Sequence, residues 1–191
     1  MLEKFSLQSK RLNIVRLQEK YPTSRIIDLT SKANMPWVKF SPFYPHGNIP
    51  IPLSNDAYGN SVEGIWQGLK VFERESIDPS KFLLTKMAGI KRTSRTFGKV
   101  IGHQAGLDCQ QLLGYIEARK KIYLPAYRWV LDHYLQAELT ELKIMAEQRP
   151  IIFLDYETNP DIENPAKPLS HASLVISYLL SEWPDYSTEA F

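Results

Sequence analysis

A helix is predicted over the segment Ser61-Val-Glu-Gly-Ile-Trp-Gln-Gly-Leu-Lys70, the most informative stretch of the chain. Ser61 is a natural N-cap, and we expect the helix to continue to about Glu75. Spacings of three and four residues place four chemically active side chains on one helix face. An acid, an indole, an amide and an amine on one stripe are unusual for a core helix: Glu63, Trp66, Gln67 and Lys70.

An aromatic loop precedes this helix, with the sequence Phe40-Ser-Pro-Phe-Tyr-Pro-His-Gly-Asn-Ile-Pro-Ile-Pro52. Prolines and turn residues mark residues 33–60 as a structured loop, and a loop of this length is more often functional than not. Trp66, together with Trp37, Phe43 and Tyr44, could sandwich a planar base. Ordinary packing of these rings is the alternative.

Composition bounds the class of protein. The chain has 191 residues, 43% hydrophobic content and a net charge of +2, which predicts one globular domain over residues 1–191. We find no apolar run of membrane-spanning length and no signal-peptide pattern, so a cytoplasmic protein without a membrane partner is expected. A single cysteine, Cys109, excludes an internal disulfide and a multi-cysteine metal site. The histidine spacings also argue against a metal, and no cofactor is expected.

A basic block, residues 79–107, contains six cationic side chains and no acidic residue. This concentration of positive charge favours binding of a phosphate or pyrophosphate, with Arg92, Arg95 and Lys99 as the candidate ligands. A solvated loop that carries scattered lysines is the alternative. The glycines at 98, 102 and 106 match neither a P-loop nor a dinucleotide-binding motif.

The remainder of the chain predicts mostly helices. Apolar periodicity indicates a helix over the first twenty residues, with Leu12 and Val15 facing inward. Further helices are expected over 108–123, from Pro125 to about 148, and over 170–181, and short strands over 25–30 and 149–155. The pattern therefore predicts a mainly α (α+β) fold, a compact helical domain with a few short strands.

Polar residues follow the second predicted strand, in the run Leu154-Asp-Tyr-Glu-Thr-Asn159. Substrate-binding residues often lie at strand ends, which makes Asp155 and Asn159 candidates. Turn formation by Asp and Asn is the equally weighted alternative.

Glu63 and Lys70 have a chemistry that suits a sugar substrate. A carboxylate near a sugar can position or activate a water molecule. A desolvated lysine can lose its proton and attack a carbonyl carbon to form a Schiff base, and a ring-opened ribose offers such a carbon at C1. The alternative is a surface lysine and a first-turn helix charge.

The order Phe40-Ser-Pro-Phe-Tyr, Ile49-Pro-Ile and Ser61-Val-Glu with Gln67 and Lys70 resembles the NADAR (YbiA-like) superfamily over roughly residues 38–72. The resemblance implies a mainly α fold, N-glycosidic chemistry on ribosylated compounds, and Glu63 and Lys70 as the catalytic pair. Gly64 stands where that superfamily usually has a histidine, and the superfamily's C-terminal signature is missing.

The leading hypothesis is therefore an N-glycosidase, a hydrolase that cleaves an N-glycosidic bond of a ribosylated nucleotide or ADP-ribosyl adduct. One alternative is a non-catalytic module that binds ADP-ribose or a nucleotide. The other is a protein that acts on ADP-ribosylated nucleic acid, for which binding would depend steeply on salt.

Overall fold

The computed structural model describes residues 4–184, which fold into two compact units. Unit 1 comprises the described residues up to Ser41 and those from Tyr134 to Pro184. Unit 2 is Pro42–His133. The single domain expected over residues 1–191 stays a prediction.

The elements follow the chain in the order β1 (Phe5–Ser9), α1 (Ile14–Lys20), β2 (Arg25–Asp28), β3 (Ile49–Pro50), β4 (Tyr58–Gly59), α2 (Val62–Gly68), β5 (Lys70–Phe72), α3 (Ser94–Phe97), β6 (Val100–Gln104), β7 (Leu112–Leu113), α4 (Tyr115–Ala118), α5 (Leu124–Tyr134), α6 (Gln136–Gln148), β8 (Ile151–Asp155) and α7 (His171–Leu179). Short 3₁₀ turns occupy Trp37–Phe40 and Pro79–Leu83, and a π-helical turn, Arg119–Tyr123, joins α4 to α5.

The prediction of a mainly α fold is wrong. The described chain is an α+β mixture, about 38% helix and 17% strand, and it contains three small sheets. Strands of two or three residues, such as β5 and β7, are too short to leave a periodic pattern in the sequence. Their identity as strands comes from pairing with partners distant in sequence.

Unit 1 is built on a parallel sheet with the strand order β1-β8-β2. The central strand β8 is buried at all five positions, because neighbours pair with both of its edges and other elements cover its faces. Leu17 of α1 packs with Ile152 and Leu154 of β8 in the core of this unit. The strands expected near residues 25–30 and 149–155 are thereby confirmed.

The helix predicted over the first twenty residues is wrong for its first half. Phe5–Ser9 is a strand, and the helix begins only at Ile14, where the Asn13 side chain accepts hydrogen bonds from two backbone amides. Leu12 is 50% exposed and Val15 56% exposed, so neither belongs to the core. Parallel pairing of β1 with β8 outweighs the local apolar periodicity. Residues 1–3 of this predicted helix lie outside the described residues.

Two predicted helices are interrupted. The helix expected over 108–123 contains β7 before α4 begins at Tyr115. The long helix after Pro125 ends at Tyr134 and resumes at Gln136, with Leu135 in a non-helical conformation between them. Four leucines of this region are nevertheless buried in the core: Leu131, Leu135, Leu139 and Leu142.

Unit 2 holds two small antiparallel sheets, one of β3 and β4 and one of the order β5-β6-β7. Helix α2 packs against the 3₁₀ turn Pro79–Leu83 and precedes β5 directly. Within residues 4–184, no helix has both the length and the apolar character needed to cross a membrane.

Candidate active site

Helix α2 begins as predicted and ends earlier than predicted. The Ser61 hydroxyl caps it by accepting a hydrogen bond from the Gly64 amide at 3.0 Å. The last helical residue is Gly68, and β5 starts at Lys70 because that segment pairs with β6. Every residue of α2 is buried, so this helix is a central element of unit 2 and not a surface helix.

Glu63, Gln67 and Lys70 form one hydrogen-bonded chain. The Gln67 amide nitrogen donates to Oε1 of Glu63 at 2.8 Å, and Nζ of Lys70 donates to Oε1 of Gln67 at 3.1 Å. The backbone N–H of Arg92 also donates to Oε1 of Gln67, at 3.1 Å. These three bonds fix the orientation of the amide, so Gln67 holds the acid and the amine at its two ends.

Burial lowers the pKa of the Lys70 amine below its usual value of 10.5. The charge of Glu63 opposes this shift, while the positive charges of Arg92 and Lys91 add to it. A lower pKa increases the fraction of neutral amine near neutral pH, and only the neutral amine is a nucleophile. Burial therefore shifts the pKa of Lys70 in the direction that its predicted chemistry needs, and its catalytic role stays a prediction.

Arg92, predicted as a phosphate ligand, lies in the interior at 6% exposure. Its guanidinium donates to three backbone carbonyl oxygens, at 3.2 Å to Gln67, 2.6 Å to Lys70 and 2.6 Å to Ser76. The same group lies over the rings of Phe72 and Phe97. Arg92 therefore ties the end of α2 to β5, and its role as a phosphate ligand stays a prediction.

The other cations of the basic block are less concentrated than the sequence indicates. Arg95 and Lys99 are exposed. Folding brings acidic residues from outside the block next to it: Oε2 of Glu73 accepts from the Lys99 backbone amide, and Asp78 lies 3.8 Å from Nζ of Lys81. The local positive charge is therefore partly compensated.

Trp66 is 8% exposed and is surrounded by side chains of the same unit. The ring of His103 lies against it, with centroids 3.8 Å apart and an interplanar angle of 33°. Two tyrosine rings approach its edges, Tyr115 at 6.0 Å and Tyr123 at 5.8 Å. In this conformation a protein ring, His103, occupies one side of the indole that was expected to stack on a base.

The two aromatic candidates of the preceding loop are half-buried. The Phe43 ring lies 5.4 Å from Nζ of Lys91, and Tyr44 packs at 4.8 Å against His46. The main chain connects this loop to α2, because the amide of Glu63 donates to the carbonyl of Pro42 at 2.8 Å. The loop thus positions the first turn of the helix that carries the candidate acid.

Asp155 and Asn159 belong to unit 1, where both organise the backbone. Asp155 ends β8 and accepts hydrogen bonds from the Ser170 hydroxyl at 2.7 Å and the Ala172 amide at 3.4 Å. The Asn159 side chain donates to two carbonyls of its own loop and accepts from the Asp161 amide. These contacts match the turn-forming alternative, and substrate binding by either residue stays a prediction.

Gly64, which stands in place of the histidine usual in the NADAR superfamily, is required by close packing. A Cβ atom at this position would lie 2.7 Å from the carbonyl oxygen of Lys81 and 2.9 Å from the Ser61 hydroxyl. The backbone oxygen cannot give way without displacement of the 3₁₀ turn. A histidine therefore does not fit at this position in the present packing.

His103 is the site residue that sequence analysis missed. It is 1% exposed and lies opposite Lys70 in the pairing of β5 with β6. Burial, with a contribution from the charge of Lys70, lowers its pKa from 6.5 to about 3. No local pattern marks such a residue, since the strand partner that buries it is more than thirty positions away.

The fold and the site define an α+β protein that carries a buried acid–amide–amine chain beside a Trp–His ring pair. The chain belongs to a family of unknown function (DUF6939), whose model matches residues 9–175. No curated protein and no solved structure matches the chain. Because the family has no assigned function, the resemblance to the NADAR superfamily stays a prediction.

Proposed function

We propose that this protein is a hydrolase that cleaves an N-glycosidic bond of a ribosylated nucleotide or an ADP-ribosyl adduct. The observation that supports it best is the chain Glu63–Gln67–Lys70, in which a carboxylate and an amine of lowered pKa are held at the two ends of one amide. A nucleophilic amine and a proton acceptor are the two groups that this reaction needs.

The covalent step begins with the neutral Nζ of Lys70. Nζ bonds to C1 of the ribose, the bond between C1 and the base nitrogen breaks, and the base leaves with the proton that Nζ releases. The nitrogen lone pair then forms a C=N bond as the bond between C1 and the ring oxygen breaks, and the ring oxygen takes the second Nζ proton. The product of this step is a Schiff base on the opened sugar.

Hydrolysis of the Schiff base completes the cycle. Water adds to C1, and the Glu63 carboxylate takes one proton from that water and gives it to Nζ, which forms a carbinolamine. The bond between C1 and Nζ then breaks as Glu63 carries the proton of the new hydroxyl to Nζ, which restores the neutral amine of Lys70. The sugar leaves as the aldehyde and closes its ring. In this sequence Gln67 is a positioning residue, because its amide holds the other two side chains without exchanging a proton.

Exposed cationic side chains of unit 2 are available to bind the phosphate groups of the substrate. Lys91 lies at the Phe43 ring, and Arg95 and Lys99 are exposed in the segment that follows. An ADP-ribosyl compound carries a pyrophosphate that such side chains bind. This supports a phosphorylated substrate over a free nucleoside.

Borohydride reduction in the presence of ADP-ribose tests the covalent mechanism. The reduced Schiff base should add the mass of the ligand to the peptide that contains Lys70, and Lys70→Ala should remove the adduct completely. Lys121→Ala is the matched control, because it removes an exposed lysine of the same unit to which no role in the site is assigned, and it should leave the adduct in place. The rate of adduct formation should rise with pH around a midpoint below 10.5, since burial lowers the pKa of Lys70.

Turnover and binding measurements separate this function from its alternatives. Lys70→Ala and Glu63→Gln should each abolish release of the base while circular dichroism remains that of the wild type. Full turnover by Lys70→Ala would contradict the covalent mechanism. Calorimetric binding of ADP-ribose without any product would favour the binding module, and a steep salt dependence of binding to nucleic acid would favour the third hypothesis.

A further inference from the structure

His103 is a buried histidine whose hydrogen-bonding capacity is unused. Neither Nδ1 nor Nε2 has a hydrogen-bond partner within residues 4–184, although the ring is 1% exposed. Most buried polar side-chain atoms in proteins have a partner, and leaving one without a partner is destabilising. A histidine with two such atoms calls for a reason beyond packing, since a phenylalanine would fill the same space.

The position of His103 links it to the candidate nucleophile. Lys70 and His103 face each other across the antiparallel pair of β5 and β6. Side chains at directly opposed positions lie on the same face of a sheet, with Cβ atoms roughly 4.5–5.5 Å apart. The imidazole and the amine are therefore neighbours on the face where Trp66 packs against the imidazole ring.

The charge state of His103 restricts what it can bind. Burial lowers its pKa to about 3, so the imidazole is neutral at physiological pH. A neutral imidazole presents one N–H donor and one nitrogen acceptor. Its natural complement is a group that both accepts and donates, such as a hydroxyl. A phosphate or a carboxylate would instead favour the charged imidazolium, which this environment disfavours.

We propose that His103 is a substrate-binding residue that recognises the hydroxyl groups of a ribose next to C1, so that the site distinguishes ribose from 2-deoxyribose. The inference rests on the proposed attack of Lys70 on C1, because the 2-hydroxyl is attached to the carbon beside C1. The His103 ring is 1% exposed, so a ligand reaches its nitrogens only when neighbouring side chains move.

Reductive trapping with two sugar phosphates tests this proposal. Ribose 5-phosphate and 2-deoxyribose 5-phosphate both offer an aldehyde to Lys70, and the two differ only in the 2-hydroxyl. The quantity to measure is the ratio of the two trapping rates at Lys70, in the wild type and in His103→Phe. Comparing the ratio between proteins cancels the different intrinsic reactivities of the sugars.

The ribose-to-deoxyribose ratio should fall by about tenfold in His103→Phe, which corresponds to the loss of one or two neutral hydrogen bonds. His103→Gln, which retains a donor and an acceptor, should restore part of the ratio and covers the case in which His103→Phe does not fold. His133→Phe, at an exposed position of α5, should leave the ratio unchanged. The thermal midpoint of His103→Phe should equal or exceed that of the wild type, because the substitution removes two polar atoms that lack partners.

The outcomes separate this inference from the proposed function. If the wild type traps neither sugar at Lys70, both proposals are contradicted. If trapping at Lys70 proceeds and the ratio is the same in the wild type, His103→Phe and His103→Gln, only the role of His103 is contradicted. A lower thermal midpoint of His103→Phe together with an unchanged ratio would identify His103 as a structural residue.

Discussion

Two buried histidines, one in each unit, have opposite surroundings. In unit 1, Nδ1 of His171 contacts Oδ2 of Asp155 at 3.0 Å and Nε2 contacts the carbonyl oxygen of Leu29 at 2.9 Å. In unit 2, both nitrogens of His103 lack hydrogen-bond partners among the described residues. The comparison separates a polar group whose hydrogen bonds hold the fold from one whose hydrogen-bonding capacity is unused among the described residues.

The pKa values of the two histidines shift in opposite directions. Burial alone would lower the pKa of His171, but the negative charge and the hydrogen bond of Asp155 outweigh this and raise it above 6.5. Burial alone would raise the pKa of Asp155. The interaction with His171 outweighs the effect of burial, so the pKa of Asp155 lies below 3.8. For His103 no such partner opposes burial, and its pKa falls to about 3. Both imidazole rings are buried, so the presence or absence of a carboxylate partner decides whether the pKa of the histidine rises or falls.

A cluster of polar residues in unit 1 connects the end of β8 to the start of α7. Asp155, at the end of the strand, accepts hydrogen bonds from Ser170 and Ala172 at the start of the helix, as well as from His171. The Ser170 hydroxyl also caps α7 by accepting from the Ser173 amide at 3.2 Å. The buried polar atoms of this network are hydrogen-bonded to one another, so we assign the network a role in stability.

Removal of Asp155 should have the largest effect on stability. Asp155→Ala leaves His171 buried without its counter-charge, and we expect the free energy of unfolding to fall by about 3–5 kcal/mol. Urea denaturation monitored by circular dichroism measures this change. Glu141→Ala, at an exposed position of α6, is the control and should change it by less than about 0.5 kcal/mol. If Asp155→Ala and Glu141→Ala changed the free energy of unfolding equally, the structural role assigned to Asp155 would be contradicted.

Arg92→Lys should have the next largest effect. Lysine keeps the charge but cannot reproduce the planar fork that reaches three carbonyl oxygens, so we expect a loss of about 1.5–3 kcal/mol in the free energy of unfolding. Denaturation of this variant beside Arg95→Lys, which alters an exposed cation of the same segment, isolates the contribution of the fork. If Arg92→Lys is as stable as Arg95→Lys and only weakens binding of ADP-ribose, Arg92 is a phosphate ligand.

The pH dependence of stability should also separate the two histidines, and this effect is the smallest of the three when it is expressed per pH unit. Between pH 3 and pH 6.5 the unfolded chain binds more protons at His103 than the folded chain does, so stability rises with pH in this window. The slope from this residue is at most about 1.4 kcal/mol per pH unit. For His171 the folded chain holds the extra proton above pH 6.5, so its contribution decreases as pH rises through the folded pKa.

Denaturation of the wild type and His103→Phe at several pH values inside the acidic window measures this difference. The stability advantage of His103→Phe should shrink as pH rises and become constant above about 6.5. An advantage that does not change with pH would mean that His103 titrates alike in the folded and unfolded chains. The effect of burial on the pKa of His103, on which the comparison with His171 depends, would then be contradicted.

Local signals in the sequence predicted several elements correctly. Ser61 caps α2 as expected, because the capping bond joins residues three positions apart, and Ser170 caps α7 in the same way. The apolar run of β8 identified a buried strand. In contrast, the end of α2 was misplaced because strand pairing with β6 begins at Lys70. The i, i+3 and i, i+4 spacings still brought Gln67 to Glu63 and Lys70.

The sequence by itself determined the residues of the candidate acid–amide–amine chain, since these lie within eight consecutive positions and meet through local geometry. Only the tertiary structure decided their environment. It buried Lys70 and lowered its pKa, and it converted Arg92 into a link between carbonyls. It also placed His103 beside Trp66 with no hydrogen-bond partner among residues 4–184. The physical reason is that desolvation and strand pairing depend on segments distant in sequence, which no local pattern encodes.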